Sequence, residues 1–188
     1  MFAKSEQSSI TDSSFKGRII NTYETTATYN IGGLVGHLTG ENASIAKSKA
    51  TIAISSNANS SDQTVGGLVG LVDNDAHVRD SYAEGDINNV KQFGEVAGVA
   101  GYLWDRTSGK EQHAGSLTNV LSDVNVTNGN AITAYHYNNM KVTATFSNKA
   151  NRVIKVALEN DEVVSKESFE ERGKMLDDSK IASKKAEI

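Results

Sequence analysis

One short glycine-rich segment occurs several times along the chain, and this repetition constrains the fold more than any other feature. Ile31–Gly36 reads Ile-Gly-Gly-Leu-Val-Gly, returns almost unchanged as Val65–Gly70, and returns more loosely as Val96–Gly101 and Ala131–Tyr135. Equivalent positions in successive copies lie 34, 31 and 33 residues apart. Periods of this size are typical of solenoids and related arrays, in which each repeat stacks on the next.

A second motif lies between the glycine-rich copies and has the pattern of a β-strand. We align its copies as Ile19–Tyr23, Ile45–Lys49, Val78–Tyr82 and Leu117–Leu121, which are separated by 26, 33 and 39 residues. Side chains of one parity are mostly polar, and those of the other parity are mostly small or apolar. Period-two alternation indicates strands with one face in the core. This alignment places Tyr23 and Tyr82 in one outward column.

The glycine-rich motif itself predicts a narrow interior. Its alternation places Leu34, Leu68 and Val99 inward and Val69 outward, with glycines where a neighbouring wall comes close. A phosphate-binding loop would need a following helix and a Lys-Ser/Thr pair, whereas another turn follows Gly36. The repeat residues to which we assign a structural role are Gly33, Leu34, Gly36, Gly67, Leu68, Gly70, Gly98, Val99 and Gly101.

These patterns predict an all-β fold, namely a right-handed parallel β-helix of about four to five coils over residues 13–164. The handedness follows from the strong preference for right-handed crossovers between parallel strands. We expect residues 1–12 to be a disordered lead or a cloning remnant. We expect Lys141–Phe146 and Val153–Leu158 to form a final strand pair, and long loops at Ser55–Gln63 and Asp105–Ala114. The absence of proline suits a structure paired on both edges.

The segment 165–188 differs in composition, because half of its residues are charged. We expect a short, partly helical tail with Ser165 as N-cap, which either docks on the end of the solenoid or leads to a missing domain. Its large apolar anchors are Phe169, Met175, Leu176, Ile181 and Ile188.

Composition also limits the classes of function. The net charge of −4 provides no bulk attraction to nucleic acid, and the absence of cysteine excludes disulfides and thiolate sites. No apolar run approaches the roughly 20 residues of a membrane helix, and Met1–Glu6 does not begin like a signal peptide. We therefore expect either a cytosolic protein or a piece of a longer secreted chain, without membrane insertion.

No catalytic or metal site can be assigned from the sequence, so we predict that this fragment is not an enzyme and holds no cofactor. Its four histidines are at least 23 residues apart, and none belongs to a His-Glu-x-x-His zinc motif. Asp73–Asp75 fits a turn better than a calcium loop. A column of carboxylates could imitate a β-helix lyase or hydrolase, although its neighbours indicate a solvated polar face; the carboxylates are Asp80, Glu84, Asp86 and Asp123.

The repeated Gly-Gly-Leu-Val-Gly motif, together with strands such as Ser81–Gly85, resembles the GLUG repeat of bacterial cell-surface proteins. With the degenerate coil Asn130–Leu158 and the charged tail Phe169–Asp177, the chain resembles the region before the catalytic domain in streptococcal zinc metalloproteases of the immunoglobulin A protease family. The resemblance implies a non-catalytic piece of a secreted, wall-attached virulence protease whose zinc lies elsewhere. It also implies a host protein partner such as immunoglobulin A.

We therefore expect a monomeric extracellular spacer or substrate-binding module of such a metalloprotease. The alternative is a β-solenoid adhesin that binds host protein or carbohydrate and has no protease attached. Binding on rigid scaffolds concentrates in loops, where aromatic residues and arginine are the usual anchors. The candidate partner-binding residues are Tyr102, Trp104 and Arg106, with Tyr23 and Tyr82 as a second patch.

Overall fold

The computed structural model describes residues 2–22, 27–57, 62–90, 94–108, 111–137, 141–148, 152–159, 162–165, 169–171 and 174–188. In chain order the first eleven strands are β1 (Phe2–Glu6), β2 (Ser9–Thr11), β3 (Ser14–Asn21), β4 (Tyr29–Gly32), β5 (Val35–Thr39), β6 (Ser44–Ala46), β7 (Lys49–Ser56), β8 (Gln63–Gly66), β9 (Val69–Asp73), β10 (His77–Asn89) and β11 (Glu95–Ala97). The remaining elements are β12 (Ala100–Leu103), β13 (Asp105–Ser108), β14 (Glu111–Ala114), β15 (Ser116–Thr127), β16 (Tyr135–Tyr137), β17 (Lys141–Ser147), β18 (Arg152–Glu159), β19 (Glu162–Ser165), β20 (Phe169–Glu171), β21 (Lys174–Met175) and the helix α1 (Asp178–Glu187).

Three parallel sheets contain most of the strands, and the repeats β4–β7, β8–β10 and β11–β15 each contribute to all three in turn. The two halves of the glycine-rich motif contribute to two sheets, which we call the first motif sheet (β4–β8–β11) and the second motif sheet (β1–β5–β9–β12). The strands that we named the second motif in the sequence belong to neither of them and lie in the long sheet. The long sheet contains β2, β3, β6, β7, β10, β15, β17 and β21. Ile31 pairs with Val65, which pairs with Val96, so the copies of the glycine-rich motif stack as predicted. The degenerate fourth copy follows them, because Val99 N donates a hydrogen bond to Ile132 O.

Side chains of the long sheet alternate between the core and the outer face. In β7, Ala50, Ile52 and Ile54 are buried, whereas Lys49 and Ala53 are exposed. This alternation agrees with the parity predicted from the second motif. The β-branched residues on the inner face suit a pleated, half-buried surface.

The second motif sheet does not alternate in this way. Leu34, Leu68 and Val99 are buried as predicted, but the prediction that Val69 faces outward is wrong, because Val69 has no exposed surface. The reason is that the motif is covered on both sides. A methyl group added at Gly33 would lie 2.8 Å from Ala50 Cβ of the long sheet. One added at Gly70 would lie 2.7 Å from the backbone N of Ile31 in the first motif sheet.

The first copy of the second motif is nine residues earlier than predicted. Lys49 pairs with Tyr82 on one side and with Ser14 on the other, so Ser14, rather than Tyr23, is the equivalent of Tyr82. Tyr23 itself lies outside the described residues. The true register is marked by residues with a left-handed backbone just before each long strand or at its bend, namely Asp12, Lys47, Asp80, Asn119 and Ala144.

Both ends of the chain differ from the sequence-based expectation. The lead that we expected to be disordered contains β1 and β2, which pair with β5 and β6. The strands β17 and β18 exist, but they do not pair with each other: β17 extends the long sheet beside β15, and β18 pairs with β16. In each case the strand pairs with a strand of a neighbouring repeat, so its partner is set by the tertiary structure and not by the local sequence.

The tail also differs in detail. The helix begins at Asp178 with Asp177 as N-cap, whereas the predicted cap, Ser165, is the last residue of β19. The side chain of Asp177 accepts a hydrogen bond from Lys180 N at 3.0 Å, as an N-cap residue does. Ser165 does not cap this helix, because the strands β20 and β21 lie between the two. Among the described residues, no helix has the length and apolar character needed to cross a membrane.

Candidate functional site at the hairpin turn

The turns that connect the second motif sheet to the long sheet differ in length between repeats. The turn after β5 comprises residues 40–43 and the turn after β9 comprises residues 74–76, but residues 104–115 separate β12 from β15. The sequence predicted a long loop there, and the structure instead has an antiparallel hairpin of β13 and β14, with Arg106 paired to His113. Residues 7–8, which connect β1 to β2, form a similarly short turn in the first repeat. The hairpin is thus an insertion at a turn that is short in the three preceding repeats.

The base of this hairpin is fixed to the repeat beneath it. Trp104 N donates to Val72 O at 2.9 Å, and Ser116 N donates to Ala76 O at 3.0 Å. Gly115 N donates to Trp104 O at 3.4 Å and closes the base. A methyl group on Gly115 would lie 2.8 Å from Val72 O, so the close approach requires glycine. Backbone hydrogen bonds to the preceding repeat therefore hold both ends of the hairpin.

A side-chain contact also connects the hairpin to the turn after β9. His113 Nδ1 lies 2.6 Å from Asp75 Oδ2, and each side chain is about one-third exposed. The sequence does not reveal this contact, because the two residues are 38 positions apart and only the stacking of repeats brings them together.

The segment Asp73–Asp75 comprises the end of β9 and the start of the turn after it, in agreement with the turn interpretation, and it contacts the repeats on both sides. Asn74 and Asp75 have left-handed backbones, with φ of 49° and 63°. Asn74 Nδ2 donates to Thr39 Oγ1 of the preceding repeat at 2.9 Å. The carboxylate of Asp73 is buried, 3.1 Å from His37 Nε2. In the part of the chain that the structure describes, no group of three or more His, Asp or Glu side chains could hold a metal ion.

The candidate partner-binding residues divide into two places. Tyr102 is half-buried in β12, Trp104 is half-buried at the base of the hairpin, and Arg106 lies in β13, so these three follow one another at alternate positions of the chain. Tyr82 is in the long sheet, pairs with Leu121 and packs against the cluster that contains α1 residues. Ser14 occupies the position equivalent to Tyr82, so the alignment that put Tyr23 there is wrong. Tyr23 lies outside the described residues, and its part in a second patch stays a prediction.

The carboxylate column of the long sheet is neutralised rather than arranged for acid–base catalysis. Lys185 Nζ lies 2.6 Å from both Glu84 Oε2 and Asp123 Oδ2. The hydrogen bond from Lys185 lowers the pKa of Glu84, and the hydrogen bond from the Asn119 amide lowers the pKa of Asp80. A general acid in a glycosidase needs a raised pKa. The Lys185 contact could not be found from the sequence, because 62 and 101 residues separate the partners.

Comparison with known proteins connects this geometry to a family. The model of the GLUG motif matches residues 27–55 and 61–88. The chain is 80% identical over all 188 residues to the immunoglobulin A1 protease of Streptococcus pneumoniae strain R6, and covers 10% of that protein. It is 69% identical over 185 residues to the immunoglobulin A1 protease of Streptococcus sanguinis, covering 98% of this chain and 10% of that one. It is 31% identical over 137 residues to the zinc metalloprotease ZmpC of Streptococcus pneumoniae, covering 73% of this chain and 7% of that one.

A solved structure also shares the fold. The crystal structure of a candidate immunoglobulin A1 protease from Bacteroides ovatus superposes with a TM-score of 0.60 at 13% identity, and the match covers 95% of this chain and 52% of that chain. The chain spans about a tenth of the length of the streptococcal relatives it matches. The whole-chain identity and the two GLUG matches together show that this chain is a GLUG-containing fragment of an immunoglobulin A1 protease-like protein.

Proposed function

We propose that this chain is a non-catalytic, extracellular module of a secreted, cell-wall-attached zinc metalloprotease, and that it holds the protein substrate of that protease. The observation that carries the proposal is the hairpin of β13 and β14, which projects from a stack of otherwise short turns. The names of the streptococcal relatives indicate the parent activity and make immunoglobulin A1 the first substrate to test. This family context favours a protease module over a free-standing adhesin.

The scaffold under the hairpin suits a holding role. We propose that the three parallel sheets form a right-handed β-helix, because parallel crossovers are right-handed in nearly all proteins. In such a stack each repeat is fixed by its neighbours, so a loop inserted at one repeat is presented by a rigid body. The hydrogen bonds from Trp104 to Val72 and from Ser116 to Ala76 fix both ends of the hairpin to that body.

The zinc of the parent protease is proposed to lie outside this fragment. A zinc peptidase of this type needs a His-Glu-x-x-His helix, and the sequence contains none. Two of the histidines also contact side chains other than histidine. His77 Nδ1 is 2.6 Å from Ser116 Oγ, and His113 Nδ1 is 2.6 Å from Asp75 Oδ2.

The test is binding of this 188-residue chain to immobilised human immunoglobulin A1, measured by biolayer interferometry. Trp104→Ala and Arg106→Ala should each weaken binding by about tenfold, as expected for central anchors. Arg18→Ala is the matched control, because Arg18 is exposed on β3, in the first repeat. Thermal melts must show that all three variants remain folded. A folded parent chain without measurable binding would leave the module as a spacer.

A further inference from the structure

The helix α1 lies on the outer face of the long sheet, where the alternation of the strands predicts solvent. Ile181 is 4% exposed and Leu176 is 8% exposed. Both pack with Leu121, which belongs to the polar outward column and yet has no exposed surface. Tyr82, Phe146 and Ile188 surround this small cluster, which is separate from the main core. The helix, and not the sheet, thus explains why Leu121 is buried.

Two lysines of α1 complete the contact by electrostatic means. Lys185 Nζ bridges Glu84 and Asp123 at 2.6 Å each, and it also lies 5.6 Å from the centre of the Tyr82 ring. Lys184 Nζ lies 4.5 Å from the centre of the Phe146 ring. Charge-assisted hydrogen bonds and cation–π contacts are both stronger where solvent is partly excluded. The surface that receives the helix, called the docking patch below, consists of Tyr82, Glu84, Leu121, Asp123 and Phe146.

The strands under the helix are paired with one another through their own backbones, without a contribution from the helix. Tyr82 pairs with Leu121, and Leu121 with Phe146, through parallel backbone hydrogen bonding between β10, β15 and β17. By contrast, a ten-residue helix is marginal in water without tertiary contacts. Its bonds to the patch consist of one small apolar cluster and ion pairs that are 22–31% exposed. Elements held in this way open locally at a lower free energy than the core.

We propose that the docking patch is a helix-binding site whose occupant is α1 of the same chain, and that α1 leaves it reversibly while the three sheets stay folded. The acidic and aromatic residues of the patch complement the two lysines and Ile181 of the helix. Because the ion pairs are partly exposed, salt screens them, so the open state becomes more populated as ionic strength rises.

The absence of cysteine from the chain allows a direct measurement of this opening. In an Ile181→Cys variant, the thiol reacts with a soluble disulfide reagent only when α1 leaves the patch. Ala182→Cys, at an exposed position of the same helix, gives the rate of an open thiol. Val124→Cys, at a fully buried core position, reports opening of the sheets. The expected order of rates is Ala182→Cys, then Ile181→Cys, then Val124→Cys.

Added to Ile181→Cys, Lys185→Met should accelerate the reaction roughly tenfold, because it removes two charge-assisted contacts that solvent already weakens. Lys174→Met is the control, because it removes the same charge from an exposed side chain of β21. Its effect should stay within about twofold. Adding 1 M NaCl (roughly a 3 Å Debye length) should accelerate Ile181→Cys, and should have less effect once Lys185 is replaced.

Three results would overturn the proposal. Equal acceleration of Ile181→Cys and Val124→Cys by Lys185→Met would mean that helix and sheets open together. Equal effects of Lys185→Met and Lys174→Met would remove the role of the ion pairs. Hydrogen exchange on the unsubstituted chain is the independent check. If the α1 amides exchange there as fast as in a free peptide, the helix does not occupy the patch.

Discussion

The long sheet and the second motif sheet use the same stacking but bury their side chains differently. In β7 of the long sheet, alternate residues face the core and the solvent. In β9 of the second motif sheet, all five residues are buried. The long sheet has its outer face free over most of its length, whereas glycines bring the second motif sheet against neighbours on both sides. Alternation therefore reports a strand with one covered face, and it is lost where both faces are covered.

The largest expected loss of stability comes from placing a charge at either of two adjacent residues of the glycine-rich motif, Leu68 and Val69. Leu68→Asp and Val69→Asp should both abolish cooperative folding, because each leaves an unpaired charge at a fully buried position. In the long sheet, Ala53→Asp is the matched exposed position and should change stability by less than about 1 kcal/mol. Thermal melts followed by circular dichroism measure all three. A stable Val69→Asp variant would show that the sheet has a free outer face.

The next effect tests the close approach of the sheets at the motif glycines. Gly67→Ala should destabilise the chain by about 2–4 kcal/mol, because the added methyl would lie 2.0 Å from Gly98 O and 2.7 Å from Ala83 Cβ. Gly17→Ala in the long sheet is the control. Its methyl would meet only the end of the Phe15 ring, at 2.7 Å, which can rotate away. Urea unfolding of the two variants measures the difference, and similar midpoints would contradict the close packing.

A smaller effect is expected at the bend of the long sheet. Lys47 has a left-handed backbone with φ of 48°, which is unfavourable for a lysine and better tolerated by asparagine. Lys47→Asn should therefore stabilise the chain by about 0.5–1 kcal/mol. Asn119 already supplies asparagine at the equivalent position, so Asn119→Lys should have the opposite sign. Urea midpoints that do not move in opposite directions would mean that the bend carries no backbone strain.

The smallest effect concerns pH and the attachment of α1 to the long sheet. The hydrogen bond from Lys185 lowers the pKa of Glu84 below its ordinary value of 4.5. The docked state therefore binds fewer protons than the released state. The contribution of this ion pair to the free energy of docking is fully present at pH values above 4.5. It is lost as the pH falls through the lowered pKa. The methyl NMR signal of Ile181 should move toward its released position on acidification, and Glu84→Gln should flatten this pH dependence.

The comparison also shows where sequence patterns were informative. Copies of the glycine-rich motif spaced by 34 and 31 residues identified the stacking of three successive repeats, because similar motifs meet similar neighbours. The first repeat was misaligned, because Ile19–Tyr23 resembles the second motif while its true counterpart starts nine residues earlier. The marker of that register is backbone conformation. Lysine and alanine can adopt it under tertiary constraint, so the residue types at positions 47 and 144 do not predict it.

The candidate site was predicted only in outline. The turn after β12 stood out because of its length and its Trp104 and Arg106, whose role in binding stays a prediction. Its hairpin pairing did not stand out, since the residues in β13 and β14 lack the apolar alternation of a half-buried strand. The contacts of Asp75 with His113 and of Lys185 with Glu84 join positions 38 and 101 residues apart. Local patterns contain no information about such pairs.

The sequence by itself determined the repeat, the strand character of both motifs and the inward parity of the long strands, because each depends on residues within one repeat. Only the tertiary structure decided that Val69 is buried, that α1 covers Leu121, and that β17 and β18 pair with different strands. Each of these depends on what covers a strand, and that neighbour comes from another repeat or from the tail. A single strand specifies which of its faces is apolar, but the burial of its other face is decided by the elements that pack against it.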